Sequence, residues 1–333
     1  MKQSVVITSI FPPSEAVHKF SALREVELIV VGDLKSPSDW TCTGVRYLST
    51  DMQKSMGFKL EKKLPYNHYC RKMIGYLDAI STGAEIIVDT DDDNIPKEGW
   101  GFPKFESKYD LLNGIEGFIN IYKLYSEKKI WPRGLPLRLI NLNTNLESKL
   151  MQKSVCVGIW QGLADEDPDV DAIYRLTDDS PTYFNTREPV VLANQVITPF
   201  NSQNTQFRKE CFPLLYLPTS VTFRFTDILR GLVAQPILWC AGYSLGFTNA
   251  TVIQRRNPHD FMRDFESEIP MYVNVERVIQ VVSSVVKPTN SIGQNMHIAY
   301  ENLLKENVIT SDEMKTLDAW LDDLLRFSNA SVS

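Results

Sequence analysis

No stretch of this chain is apolar for long enough to cross a bilayer. Nothing approaches the ~18 apolar residues of a membrane span, and the amino terminus has no signal-peptide pattern. Cysteine is scarce: Cys42, Cys70, Cys156, Cys211 and Cys240 are odd in number, and no two have metal-ligand or redox-motif spacing. Reduced, mostly buried thiols are expected. Histidine is scarcer, and His18, His68, His259 and His297 form no HExxH-type pair, so zinc hydrolase chemistry has no support. Basic charge is not in excess either. A net charge of −6 leaves no electrostatic footprint for nucleic acid or for an anionic membrane surface. Internal repeats and low-complexity tracts are absent. What remains is 333 residues of ordinary apolar content, enough for one large domain with an appendage or for two domains. These absences together lead to an expected cytoplasmic location.

The most informative stretch is Ile86-Ile87-Val88-Asp89-Thr90-Asp91-Asp92-Asp93-Asn94-Ile95-Pro96. A β-branched run ends in four acids within five positions, which reads as a buried strand with the acids on the turn at its carboxyl end. Ligands of open α/β sheets bind at such ends. Crowded carboxylates repel one another unless a cation neutralises them, so the residues imply a divalent-metal site that holds a nucleotide diphosphate. A solvated acidic loop is the plain alternative, weakened by the apolar strand directly before it. A calcium loop fails, because its sixth and twelfth positions would be Asn94 and Trp100 in place of Gly and Glu.

Further elements surround this turn. Val5 to Ile10 reads as a first strand, Ser14 as the cap of a helix, and Val26 to Val31 as a second strand ending in Gly32-Asp33. The β-α-β order makes the two strands parallel, with Asp33 placed for a ribose or base. A helix is expected over residues 66–80, apolar at Tyr69, Met73, Tyr76, Leu77 and Ile80, with Asn67, Arg71 and Lys72 near its start. Arg71 or Lys72 could pair with diphosphate oxygens, as could Arg255 or Arg256. The run from Ile115 to Leu124 is ambiguous between helix and strand, and residues 130–137 read as an ordered loop with aromatic anchoring.

Val155 to Trp160 is a strand that empties into a second cluster of five acids within seven positions, Asp165 to Asp171. Asp169 or Asp171 could cap the following helix. Of Asp165, Asp167, Asp169 and Asp171, one could serve as general base on an acceptor hydroxyl. Val190 to Ile197 is strand-like. The amide-rich 198–207 segment, with Asn201 and Asn204, could bind sugar hydroxyls or be an ordinary turn. Asp227, where residues 223–232 enter a buried helix, is a cap or a site carboxylate. Leu245 to Ile253 is of mixed character, and His259 is a candidate loop ligand for a metal. Amphipathic helices are expected over 273–286 and 297–327, forming a C-terminal helical appendage (269–333) to a domain of residues 1–268. The appendage packs on the domain or serves self-association.

Taken together, TSIFPP, VVGD, NHYCRKMIGYLDAI, IIVDTDDDNIP, GIWQGLADEDPDVDAIYRLT, PFNSQNTQF, RFTDILRGLVAQPIL and QRRNPHDFMRDFESEIP resemble the glycosyltransferase domain of STELLO-type proteins. These are plant Golgi proteins associated with cellulose synthesis. A more distant resemblance is to reversibly glycosylated polypeptides, the UDP-arabinopyranose mutases. The resemblance covers roughly residues 3 to 270. It implies a GT-A-like, Rossmann-like α/β fold, a nucleotide diphosphate sugar donor, a UDP-sugar above others, and Mn²⁺ or Mg²⁺. The implied reaction is sugar transfer to a hydroxyl acceptor in surface polysaccharide or glycan synthesis. By the family's motif logic Asp91 and Asp93 bracket the metal, Asp92 lies beside them on the diphosphate, and Thr8 and Asp33 lie near the nucleoside. The membrane anchor of the plant proteins is missing from this chain, from which a free-standing, bacterial-type enzyme is expected. A sugar-nucleotide mutase and a silent nucleotide-sugar-binding scaffold are the competing readings.

Overall fold

The computed structural model describes residues 1–256 and 260–330. The first half of the chain alternates strands and helices. β1 (Gln3–Thr8), α1 (Glu15–Ser21) and β2 (Val26–Val31) form the expected β-α-β unit, with β1 and β2 parallel. Next come β3 (Val45–Leu48), α2 (Thr50–Ser55), α3 (Lys72–Ser81), β4 (Ile86–Thr90) and β5 (Asn94–Pro96). The middle holds β6 (Glu106–Leu112), β7 (Gly117–Phe118), β8 (Leu150–Glu166), α4 (Ala172–Thr177), β9 (Val190–Leu192), β10 (Val196–Ile197) and β11 (Asn204–Arg208). The chain closes with α5 (Thr226–Cys240), β12 (Ser244–Gln254), α6 (Phe261–Val285), α7 (Ile292–Lys305) and α8 (Ser311–Ala330).

The large sheet runs β3-β2-β1-β4-β11-β8-β6-β9-β12-β5, and β7 pairs with β10 in a small second sheet. β3, β2, β1 and β4 are parallel; β11 is antiparallel to both β4 and β8. The class is thus α/β, as expected, with a mixed sheet. β1, β2 and β4 are buried on both faces, which is why they read as nearly unbroken apolar runs. Val6, Ile29 and Val31 point to the side covered by α3 and the C-terminal helices; Val5, Ile7, Leu28 and Val30 point to the side covered by α1.

Helix α3 lies close against β1 and β2. A Cβ at Gly75 would come within 2.6 Å of both Val6 Cγ1 and Val31 Cγ2, so the helix can approach only because that position carries no side chain. Gly75→Ala is therefore expected to destabilise the fold by about 1–3 kcal/mol through overpacking, despite alanine's better helix propensity. A urea midpoint unchanged from wild type would contradict this packing.

Several elements differ from their expected form. The helix begins later than residue 66, because Asn67 takes a left-handed conformation (φ 55) and the His68 ring accepts from the Cys70 N–H, capping a 3₁₀ turn before α3. The ambiguous 115–124 run divides into β7 and a 3₁₀ turn at Ile121–Leu124. The 155–160 strand extends to Leu150–Glu166, and residues 190–197 split between two sheets. The single helix expected over 297–327 is two, α7 and α8, joined where Asn307 takes φ 57.

The C-terminal helices share the main core. Met271, Val278, Met296, Tyr300, Leu317 and Trp320 belong to the same apolar cluster as Met73 and Ile228. Buried Glu313 accepts from the backbone of Thr219 and Ser220 and from the Tyr216 hydroxyl, and buried Asp323 accepts from the Lys59 and Leu60 N–H groups. Among the described residues no helix is long and apolar enough to cross a membrane.

Candidate active site

At the carboxyl end of β4 the sheet changes from parallel to antiparallel pairing, and there the chain opens a cavity of about 340 Å³. Its lining includes Thr8, Ser9 and Phe11 after β1, Asp33 after β2, Asn67, His68 and Tyr69 before α3, and Asp91, Asp92 and Asp93 after β4. Ser202, Gln203, Asp227, Arg133, Asp169, Arg224, Gln254 and Arg256 line the remainder.

The four acids around the turn have different fates. Asp89 belongs to the strand and is fully buried; Lys72 donates to its Oδ1 (2.9 Å) and Arg230 to its Oδ2 (2.6 Å). Lys72, itself fully buried, also donates to the Thr90 carbonyl (2.8 Å) and to Asp91 Oδ1 (2.8 Å). Asp92 accepts from the Ser9 hydroxyl, while the Ser14 hydroxyl donates to its carbonyl. Among the described residues the Asp93 carboxylate accepts from Gln254 Nε2 alone, at 3.1 and 3.2 Å, and its backbone carbonyl accepts from the Arg255 N–H (3.1 Å). The Gln254 contact follows from topology: β5 pairs antiparallel with β12, setting Asn94 opposite Gln254.

Burial and its acidic neighbours Asp91 and Asp92 push the Asp93 carboxyl up to about 7. Asp91 is also raised, by burial and by Asp89, although Lys72 opposes the shift. A carboxyl that must lose a proton to bind a cation binds it better at higher pH. Cation-dependent ligand binding is thus expected to fall roughly tenfold per pH unit below about 7, measured by titration between pH 5 and 8. The ligand-free fold should show the opposite trend. A native carboxyl that holds its proton more tightly than the unfolded one imposes no cost below the unfolded value, and its full cost above about 7.

The donor set is hard oxygen, which suits Mg²⁺ or Mn²⁺. Among the described residues no group of three or more His, Cys, Asp or Glu side chains is arranged to hold an ion unaided. Asp91 and Asp93 supply two oxygen donors, and a divalent cation held by them would take further oxygens of the kind a diphosphate carries. His259 lies outside the described residues.

At the β1–β2 end, Asp33 is fixed by the Leu34 N–H (2.7 Å) and the His68 N–H (3.3 Å). The His68 ring accepts at Nδ1 from Cys70 N–H (3.1 Å), and burial lowers its pKa, so the neutral ring carries its proton on Nε2. On the opposite side of the acid turn, Arg133 grips two carboxylates. It is bidentate to Asp169 (2.8 and 2.8 Å) and to Asp227 (2.9 and 2.8 Å). Burial would raise the Asp227 carboxyl, but Arg133, Arg230 and Arg224 outweigh it and hold it below the usual range.

Other candidate residues do not line this cavity, although Arg255 lines a second hollow together with Asp92 and Asp93 of the acid turn. Arg71 is buried and turns to Gln53 (2.6 and 2.9 Å) and Glu61 (3.0 Å), so it does not face a diphosphate. Lys72 reaches the acid turn from beneath, within the protein, and does not line the cavity. Arg255 is exposed and pairs with Glu15 (3.1 Å). Asn201 turns back on its own loop to accept from the Gln203 N–H (3.0 Å), and Asn204 sits in β11 bonded to Thr251 (2.7 Å). Asp165 is held by Lys97 (2.7 Å) and the Phe184 N–H (2.9 Å). Asp167 pairs with Arg175 and Arg256. Asp171 caps α4 and accepts from the Trp131 indole (2.7 Å). Of the four candidate aspartates in that five-acid cluster, only Asp169 lines the cavity. Thr8, Asp33, Asn67, Asp91, Asp92, Asp93 and Asp227 also line it.

Arg133, Ser202, Gln203, Gln254 and Arg230 are site or supporting residues that the motifs did not single out. Arg133 carried a usable signal, a charge inside an ordered Trp-Pro-Arg-Gly-Leu-Pro loop. So did Arg230, a charge among the apolar positions of a buried helix.

Comparison with known proteins adds the following. Residues 224–331 match the family model described as STELLO glycosyltransferases. This segment contains Asp227 and Arg256 and runs through the C-terminal helices. Two Arabidopsis thaliana proteins are similar over 96% of this chain: Probable glycosyltransferase STELLO1 at 28% identity and Probable glycosyltransferase STELLO2 at 27%. The chain spans 44% of the length of each of these relatives. A crystal structure of glucosyl-3-phosphoglycerate synthase from Mycobacterium tuberculosis with Mg²⁺ and UDP aligns at TM-score 0.38 and 12% identity. The alignment covers 85% of this chain and 79% of that one. The likeness to the STELLO glycosyltransferases thus extends over nearly the whole chain, well beyond the acid motifs that first point to it.

Proposed function

We propose that this chain is a glycosyltransferase with a GT-A-like cleft, which moves a sugar from a nucleotide diphosphate sugar, preferably a UDP-sugar, to a hydroxyl acceptor. The observation that carries the reading is the acid turn after β4, which presents Asp91 and Asp93 to the cavity while Asp89 is neutralised inside the fold. The likeness to STELLO glycosyltransferases supports the same class.

In this reading the nucleoside lies over Thr8 and between Asp33, Asn67 and His68, with Asp33 accepting from ribose or base. Asp91 and Asp93 hold Mn²⁺ or Mg²⁺ together with the diphosphate. When bound, that ion neutralises charge developing on the leaving diphosphate. Lys72 fixes Asp91, Ser9 fixes Asp92, and Gln254 fixes Asp93, so the oxygens are set before the ligand arrives. The sugar extends toward Ser202, Asp227 and Asp169. Asp169, oriented by Arg133, is the acid that this reading assigns to the acceptor hydroxyl.

The test is donor turnover. UDP-, GDP- and CDP-sugars are incubated with the chain and Mn²⁺, and free nucleotide diphosphate is measured with and without simple glycan acceptors. Release from one nucleotide class, raised by acceptor, is the expected result. Ring-form interconversion of the donor with no nucleotide release would replace transfer by mutase activity. Inertness toward every donor would favour a scaffold.

A further inference from the structure

Beyond the acid turn, the cleft ends against three arginines, Arg133, Arg224 and Arg256. Two of them are occupied. Arg133 is bound to Asp169 and Asp227, and Arg224 to Glu268 (2.9 Å) and the Val170 carbonyl (3.3 Å). Arg256 is different. Its side chain is only 9% exposed, yet Nε and Nη1 have no hydrogen-bond partner among the described residues. Among the described residues Asp167 is its carboxylate at ion-pair distance, 3.2 Å from Nε without hydrogen-bond alignment and shared with Arg175, while Asp169 and Asp93 act on it from farther off. Ser202, 3% exposed and lining the same cavity, also has a hydroxyl without a partner. Buried donors left open in this way cost free energy unless a ligand satisfies them.

The sheet order gives their place along the cleft. The nucleoside-compatible groups stand at the β1 and β2 ends, the acid turn at the β4 end, and Arg256 after β12, whose Gln254 is in parallel register with Glu166 of β8. A donor laid across β1 and β4 brings its sugar, and then the acceptor, to the β8–β12 end. We propose that this end is an oxyanion subsite for the acceptor: Arg256, with Ser202, receives a phosphate or carboxylate group carried by the molecule that takes the sugar. The inference rests on reading the cleft as a donor site.

The test titrates inorganic phosphate and, separately, acetate into the chain saturated with UDP and Mn²⁺, and into the ligand-free chain. Phosphate alone, acetate alone or both should bind in each case, which also tells which oxyanion is preferred. Arg256→Gln should weaken that binding at least about tenfold, the loss of a charge-assisted pair. Arg256→Lys should keep part of it, Ser202→Ala should weaken it less, and UDP binding should change less than about threefold in all three. Competition between phosphate and UDP, or equal loss of both in Arg256→Gln, would place Arg256 on the donor's diphosphate and overturn the proposal. So would binding of neither anion, or binding unchanged by Arg256→Gln. If UDP fails to bind, the donor reading falls, and the ligand-free titration still decides whether Arg256 holds an anion.

Discussion

Lys72→Met is expected to lower the unfolding free energy by about 3–5 kcal/mol, the cost of removing one partner from a buried ion pair. Domains of this kind are stable by only ~5–15 kcal/mol, so the loss is a large fraction of the whole. The ammonium is fully buried and donates to Asp89, Asp91 and the Thr90 carbonyl. Methionine keeps an unbranched stem but lacks the ammonium, which leaves Asp91 without its ion-pair partner and the Thr90 carbonyl without that donor. Arg230 still holds Asp89, so the fold should survive at low temperature. Urea unfolding measures the loss. A midpoint within error of wild type would mean that Lys72 does not organise the acid turn.

Arg133→Leu is expected to have an effect of similar size, about 3–5 kcal/mol, and to empty the acceptor end of its order. One guanidinium bridges Asp169, from the loop after β8, and Asp227, from the first turn of α5. Removing it leaves two buried carboxylates, 4% and 5% exposed, without their ion-pair partner, with Arg230 and Arg224 acting on Asp227 only from farther off. The readouts are a lowered urea midpoint and, in the folded fraction, loss of sugar transfer with nucleotide binding kept, because the nucleoside end lies across the acid turn. Arg133→Lys should recover stability in part but not the two-carboxylate grip, since an ammonium lacks the planar fork. Full activity in Arg133→Leu would remove Asp169 and Asp227 from the account.

The parts of this architecture that were legible in the sequence share a physical cause. β1, β2 and β4 are buried on both faces, so burial is written as continuous apolar runs, and the acids that follow β4 stand out against them. β11 was not legible. Its Asn204-Thr205-Gln206 looks like a loop, yet it is a central strand between β4 and β8, with the Asn204 side-chain amide and the Thr205 hydroxyl bonded to other strands of the sheet. The Thr205 hydroxyl donates to Gln161 (2.9 Å) and Asn204 to Thr251 (2.7 Å). The direction of a charged side chain is likewise set by tertiary contacts. Arg71 and Lys72 are neighbours at one helix start. One turns to Gln53 and Glu61, and the other passes beneath the acid turn. Spacing marks both as basic and near the cleft; it does not say which pocket each enters. Five acids between Asp165 and Asp171 look equivalent for the same reason, and their separate partners are visible only once Lys97, Arg133, Arg175 and Trp131 are brought to them.

The central claim is that Asp91 and Asp93 form a cation-dependent nucleotide diphosphate site. Calorimetric titration of UDP, GDP and CDP, with and without Mn²⁺, on wild type and Asp93→Ala tests it most directly. One nucleotide, UDP before the others, should bind wild type only with Mn²⁺, and Asp93→Ala should lose that binding. Equal binding with and without Mn²⁺, equal binding by Asp93→Ala, or no binding of any nucleotide would contradict the account.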